Sequence, residues 1–440
     1  MRPSAGKWLR TLGLTLAAFA GGVVTSHLAR ATSQAQSPYA PFEQLARVLV
    51  LVENQYVEPA QRSKIVEGAV KGMVAELDPH SAFMNAEEFS AFQEETGGRF
   101  GGIGVEVDFR DEAPMVIAPI EGSPAERAGI RSGDQIVAID GKPTRGERLD
   151  RLITMMRGAA GSKVKILVRR PGVAEPISFE LKREEIHVTS VVAKRLDKDV
   201  AYIRLKQFQE GTHEELLRSA SKLRAASKTP LRGVILDMRN NPGGLVDEAE
   251  GVADEFLGEG TIYSTRHRNQ VVDEARATSG GAFASLPVVV LVNEYSASSS
   301  ELVAGALQDN RRATLIGNTT FGKGSVQTIF ELPGGAGMRL TTMRYYTPSG
   351  RSIQAQGVRP DVLIQPAKGG TPAEVMRERD LEGHLDAEET ALGGGSQSVI
   401  TIAGTVLEMS RDVPSDPSKG KDFVLSVGYQ TLLKAVPVTR

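Results

Sequence analysis

An unbroken apolar run, Pro287-Val288-Val289-Val290-Leu291-Val292, constrains this chain more than any other stretch. It is short and β-branched, so it reads as a strand buried on both faces, the kind found inside parallel sheets. A turn at Asn293-Glu294-Tyr295 follows, then Ser296-Ala297-Ser298-Ser299-Ser300-Glu301. After it Leu302, Val303, Ala306 and Leu307 recur at helical spacing, which predicts an amphipathic helix with serines on its N-terminus. A hydroxyl at that positive end, beside unpaired N–H groups able to hold an oxyanion, suits a nucleophile. The serines read equally as helix caps, with Glu301 as a capping-box partner.

Downstream, residues 314–329 hold Lys323 between Gly322 and Gly324. Gly317, Gly322 and Lys323 fit the spacing of a phosphate-binding loop. However, Gly324 stands where that motif needs Ser or Thr, and Val326-Gln327-Thr328-Ile329-Phe330 reads as a strand where it needs a helix. Nucleotide binding is therefore not expected. Taken together, Ser296-Ala297-Ser298-Ser299-Ser300-Glu301-Leu302-Val303-Ala304-Gly305 and Phe321-Gly322-Lys323-Gly324-Ser325-Val326-Gln327 closely resemble the carboxy-terminal processing proteases, also called tail-specific or S41 serine peptidases. The resemblance implies Ser298 as nucleophile, Lys323 as its base and Gln327 as the residue that orients the lysine. Spacing alone does not separate Ser298 from Ser296 and Ser300. Family members usually carry Ala after the nucleophile, where this chain has Ser299.

The 440 residues suggest about three domains on a prior of roughly 150 residues each. A net charge of −2 gives no reason to expect nucleic acid, and the absence of Cys removes disulfides, thiol catalysis and cysteine metal sites. Arg2, Lys7 and Arg10, an apolar run over residues 12–24 and Ala29-Arg30-Ala31 have the form of a secretory leader, cleaved or kept as an anchor. The body is then expected outside the cytoplasm, in the periplasm or cell envelope. Leu45, Val48, Leu49, Val52 and Tyr56, then Ile65, Ala69, Met73 and Leu77, predict two helices before Asp78-Pro79. The family resemblance implies that this region dimerises.

From Arg99 the pattern changes to short strands at residues 105–107, 115–118, 135–139, 164–168 and 177–181, with one helix marked by Leu149, Leu152, Ile153 and Met156. Phe100-Gly101-Gly102-Ile103-Gly104-Val105 resembles the carboxylate-binding loop of PDZ domains, and residues 122–134 are similar to that family's short helix and turn. Such a domain takes a peptide by strand addition, with backbone N–H groups of Gly102, Ile103, Gly104 and Val105 turned onto a terminal carboxylate. Substrates are thus expected to be proteins or peptides with free C-termini.

Beyond residue 187 strands and helices alternate: strand 200–205, helix 214–225, strand 233–238, helix 245–257. The loop Arg239-Asn240-Asn241-Pro242-Gly243-Gly244 joins strand to helix, and the resemblance implies an oxyanion hole made by the N–H groups of Gly244 and Ser299. Glycine-rich stretches at residues 368–370 and 393–395 precede a last helix near residues 422–434, whose role is open. The expected fold is α/β and multidomain: leader 1–31, helical region 41–95, inserted PDZ domain 96–186 as a β-rich barrel with helices, α/β Ser-Lys protease core 187–366, C-terminal segment 367–440. No cofactor or metal is expected. A homo-oligomer is expected, and the need for an adaptor protein is open. Two other readings compete. A Ser-His-Asp protease needs a histidine from His27, His80, His187, His213, His267 and His384, which are scattered without the expected nucleophile motif. A non-catalytic PDZ scaffold leaves Ser298, Lys323, Gln327 and the glycine loop without a role.

Overall fold

The computed structural model describes residues 39–110, 113–268, 270–365, 375–387, 405–409 and 422–435. The predicted leader and both glycine-rich stretches lie outside them. The chain forms two compact units that meet between Met73 and Val74. The predicted helices run Ala40–Gln55, within the first, and Arg62–Ala75, whose last two residues fall past that boundary. Phe42, Leu45, Val48 and Leu51 are exposed on the earlier one.

The second unit is built on a seven-stranded sheet whose strands follow in chain order: Val191–Leu196, Val200–Leu205, Gly233–Asp237, Val288–Val292, Ala313–Gly317, Val362–Gln365 and Thr405–Glu408. Only the first pair is antiparallel. Strand Val288–Val292 lies at the centre with all five side chains buried, as its continuous apolar pattern requires. Alternate residues face opposite ways: Val288, Val290 and Val292 join a core with the helices Thr212–Ala225, Val246–Asp254 and Ser299–Asp309. Val289 and Leu291 join another with Phe423, Leu425, Tyr429 and Leu432 of the last helix, Phe423–Ala435.

The helix Ser299–Asp309 departs from its amphipathic expectation, because every residue from Ser299 to Gln308 is buried. Leu302 and Leu307 face the sheet core, while Gly305 lies so close to Thr347 that a Cβ would come within 2.8 Å of its Cγ2. A helix covered on all sides is a rigid mount for whatever its first residue carries.

A second sheet holds the hairpin Ser325–Glu331 with Gly337–Tyr346, extended by Thr261–His267, Gln270–Arg276 and Ala82–Met84. Within the PDZ region the strands Val105–Arg110, Ala113–Pro119, Gln135–Ile139, Lys163–Arg169 and Ile177–Lys182 pair in one sheet over Leu152, Ile136 and Ile166. That sheet is open: its outer strands, Val105–Arg110 and Ile177–Lys182, do not pair with each other to close a barrel. The strands Arg99–Gly102 and Glu184–His187, which composition had not marked, pair where the chain enters and leaves the domain.

Candidate active site

Ser298 immediately precedes the buried helix, at the carboxyl end of the central parallel strand, where open α/β sheets place their sites. Its backbone has φ 54° and ψ −117°, a region that L residues avoid at a cost of about 1–3 kcal/mol. Ser296 and Ser300 carry no such strain and are committed elsewhere. Ser296 Oγ donates to Met238 O (2.8 Å) and accepts from Asn293 N–H (3.0 Å), and Ser300 Oγ donates to Asn241 O (3.0 Å). Both are 0% exposed, against 9% for Ser298. Glu301 N–H donates to the Ser298 carbonyl at 2.8 Å.

Glu301 is the residue whose importance the sequence understated. Its side chain reaches back to Ser298 N–H (2.8 Å), as a capping-box partner would, but the same Oε2 also accepts Lys323 N–H (2.8 Å). Oε1 takes the Thr320 hydroxyl (2.5 Å) and Gly322 N–H (2.7 Å). One fully buried carboxylate thus fastens the serine's backbone to the lysine's loop, with the two nitrogens no further apart than twice the bond length. Burial pushes the Glu301 carboxyl up to about 7, against the pull of its four donors.

The loop facing this junction is held by Asn241, whose carbonyl accepts Ala297 N–H (3.0 Å) and whose side chain accepts Gly243 N–H (2.9 Å) and donates to Leu205 O (3.1 Å). Gly243, at φ 100°, lies flat on the serine: a Cβ there would stand 2.8 Å from Ser298 Cβ and 3.0 Å from Ser299 N. The Gly243 carbonyl is tied to Phe208 N–H (2.9 Å), and because a trans peptide points its N–H opposite its carbonyl, Gly244 N–H is aimed away from Phe208. Among the described residues neither Gly244 N–H nor Ser299 N–H has an acceptor. The Ser299 hydroxyl, the departure from the family's Ala, donates to Gly244 O at 2.8 Å and joins the two carriers of these N–H groups. At the loop's other end Arg239 forks onto Asp237 (2.9 and 2.6 Å) and onto Asp422 (3.0 and 2.7 Å), which precedes the last helix.

Lys323 lines an apolar cavity of about 560 Å³ together with Asn240, Pro242, Tyr295, Ala297 and Phe321. Burial, aided by the Arg339 guanidinium, lowers its ammonium to about 8. Glu378, Asp78 and Glu301 oppose that shift. All three lie outside residues 314–330, so a reading of local sequence could not see them. Lys323 Nζ and Ser298 Oγ do not hydrogen bond to each other in this structure. Gln327 Nε2 donates to Ser325 Oγ (2.9 Å) and Thr341 Oγ1 (3.3 Å), and does not hydrogen bond to Lys323. Thr341 Oγ1 donates onward to Asp78 (3.2 Å).

None of the described histidines hydrogen bonds to Ser298. His80 pairs with Glu378, His187 with Glu215 and His213 with Glu255, while His267 and His384 meet the backbone carbonyls of Thr342 and Leu381. His27 lies outside the described residues.

In the PDZ region the carbonyls of Ile103 and Gly104 are spent inward, on Ala125 N–H and on Ile120 N–H with the Ser123 hydroxyl, all at 2.9 Å. The N–H groups of Ile103 and Gly104 have no acceptor among the described residues. They border a groove of about 160 Å³ lined by Gly102, Val105, Ile153 and Met156 among others. Arg157, absent from the sequence reading, lines the same groove with its guanidinium 4.6 Å from the Phe100 ring centroid.

Comparison with known proteins agrees with this layout. Residues 199–364 match Peptidase family S41, residues 115–170 a PDZ domain, and residues 15–88 the activating protease CtpB N-terminal domain. A carboxy-terminal-processing protease of Bartonella bacilliformis is 40% identical over 407 residues, 91% of this chain and 90% of that one. The carboxy-terminal processing protease CtpA of Bacillus subtilis is 33% identical over 87% of this chain and 80% of its own. Among solved structures, a photosystem II D1 C-terminal processing protease is 30% identical, covering 72% of this chain and 86% of its own at a TM-score of 0.44. By its family-model matches and its relatives the chain belongs to the carboxy-terminal processing proteases of peptidase family S41, with a PDZ domain.

Proposed function

We propose that this peptidase is a serine endopeptidase in which Ser298 attacks the scissile carbonyl, Lys323 removes its proton and Gln327 orients the amine. The observation that carries the reading is the Glu301 carboxylate, which binds the backbone N–H groups of Ser298 and Lys323 with one oxygen. No packing need explains a strained serine and a half-buried lysine fastened to the same buried acid. Lys323 serves as the base only when neutral, and its lowering to about 8 supports that role. Active-site hydrogen bonds often tighten only around bound substrate, so the absent Ser298–Lys323 bond is compatible with it. The N–H groups of Gly244 and Ser299, without acceptors, supply the oxyanion hole.

Substrates enter tail first. The free N–H groups of Ile103 and Gly104 with the Arg157 cation suit a terminal carboxylate, and the apolar groove beside them suits an apolar last side chain. The enzyme processes or degrades proteins delivered in this way, and its leader-like N-terminus supports an envelope location. Incubating the full chain with an unfolded protein, beside Ser298→Ala, tests the assignment. Cleavage by the parent and none by the variant is expected, and equal cleavage by both refutes it.

A further inference from the structure

We propose that Glu378 is a positioning residue for Lys323, so that the segment 375–387, beyond the peptidase-family match, completes the lysine's half of the site. The proposal rests on the Ser298–Lys323 reading above. Glu378 projects from a single short turn, Glu378–Asp380, yet its side chain is 0% exposed. Its two oxygens accept from His80 Nε2 (2.7 and 2.9 Å), and Oε1 also accepts from Gln354 Nε2 (2.8 Å). Gln354, itself fully buried, turns its Oε1 to Gly324 N–H at 3.0 Å, the residue after the lysine. The Glu378 backbone N–H meets Phe321 O at 3.3 Å, two residues before it. One flank of Lys323 is therefore held directly from this segment and the other through Gln354, while Glu301 holds Gly322 and Lys323 themselves.

The arrangement has an electrical side. A carboxylate buried this deeply is costly unless its partners compensate it. Burial alone would raise the Glu378 carboxyl, but the bonds from His80 and Gln354 outweigh it and hold the group below the usual carboxylate range. Glu378 is thus ionised where it acts on Lys323, in the same direction as Asp78 and Glu301 and against Arg339, with His80 facing Glu378 itself. A residue that only packed would not need a charge there.

Glu378→Gln in the full chain separates the two roles. Glutamine keeps the volume, can still accept from Gln354 and can donate to a neutral His80, so the fold is expected to stand. With one anion removed, the acid limb of kcat/KM should move to lower pH by roughly half a unit to one unit. Gln354→Ala cuts the link to Gly324 while His80 still pairs with Glu378, so kcat should fall about ten- to a hundred-fold, with KM little changed and the acid limb moved less than in Glu378→Gln. An acid limb in Glu378→Gln that coincides with the parent's, or full kcat in Gln354→Ala, overturns the proposal. If Glu378→Gln fails to fold, Glu378→Asp decides: it keeps the charge on a shorter arm, should lose kcat without moving the limb, and overturns the proposal if kcat is unchanged. Failure of the underlying reading looks different, because Lys323→Ala would then cleave substrate whatever Glu378 does.

Discussion

Raising the pH perturbs Lys323 before any other group the mechanism needs in its neutral form. With its ammonium lowered from 10.5 to about 8, roughly a tenth of the amine is neutral at pH 7, about 300-fold more than for an ordinary lysine. That shift corresponds to about 3 kcal/mol of disfavour for the charged form, caused first by burial and then by Arg339. The sign follows from the role: protonated amine cannot accept the Ser298 proton, so kcat/KM is low in acid and rises with pH. Between pH 6 and 9 the Lys323 ionisation near 8 by itself should raise it about 90-fold before it levels off, and the Glu301 carboxyl, near 7, should steepen the fall on the acid side. Initial rates on a quenched fluorescent peptide with a free C-terminus measure this, with circular dichroism at each pH to show the fold intact. Arg339→Gln removes a neighbouring cation and should carry the midpoint upward. Lys323→Arg should be inactive at every pH, because guanidinium stays protonated. A flat profile, a midpoint close to that of free lysine, or substantial activity in Lys323→Ala from pH 6 to 9 would refute the reasoning.

Ser298→Ala should abolish hydrolysis and leave the fold intact. Ser296→Ala and Ser300→Ala should keep hydrolysis but lose about 1–2 kcal/mol each in thermal or urea unfolding, since each strips a buried hydrogen bond. Gly243→Ala, which drives a methyl against Ser298, should lower kcat by a hundred-fold or more while a fluorescence titration with a tail peptide is unchanged. Amidating the C-terminus of a model substrate should raise KM by about ten-fold or more, and equal turnover of amide and acid would remove the carboxylate from the recognition scheme. Gln327→Ala should be slowed less than Lys323→Ala in the same peptide assay, because the proposed role of Gln327 is to orient the amine and not to take the proton.

What the sequence made legible was periodic or punctuated. The run 287–292 read as a buried strand, and the serines after it as a helix start. The PDZ strands were marked by alternation and by the turns between them. Legibility failed where a residue's meaning depends on chain far away. Glu301 read as a cap because its nearest donor is three residues off, whereas its donors at 320, 322 and 323 come from the loop between the strands Ala313–Gly317 and Ser325–Glu331. The charges around Lys323 were hidden for the same reason: Asp78 and Glu378 sit far from it in either direction along the chain. The central helix read as amphipathic because small and polar residues line one side. In the fold, Ser299, Ser300, Gly305 and Gln308 are small enough or bonded enough to be buried there as well.

The last helix also bears on how the enzyme comes into being. A nascent chain appears N-terminus first, at about 5–20 residues per second, so the loop at Arg239 leaves the ribosome well before Asp422. Through that interval Arg239 has only Asp237 to grip, and the sheet face of Val289 and Leu291 lacks Phe423, Leu425, Tyr429 and Leu432 to cover it. The loop that carries Gly244 gains its second anchor only when the helix arrives. The peptidase site is thus completed only with the last residues of its own chain.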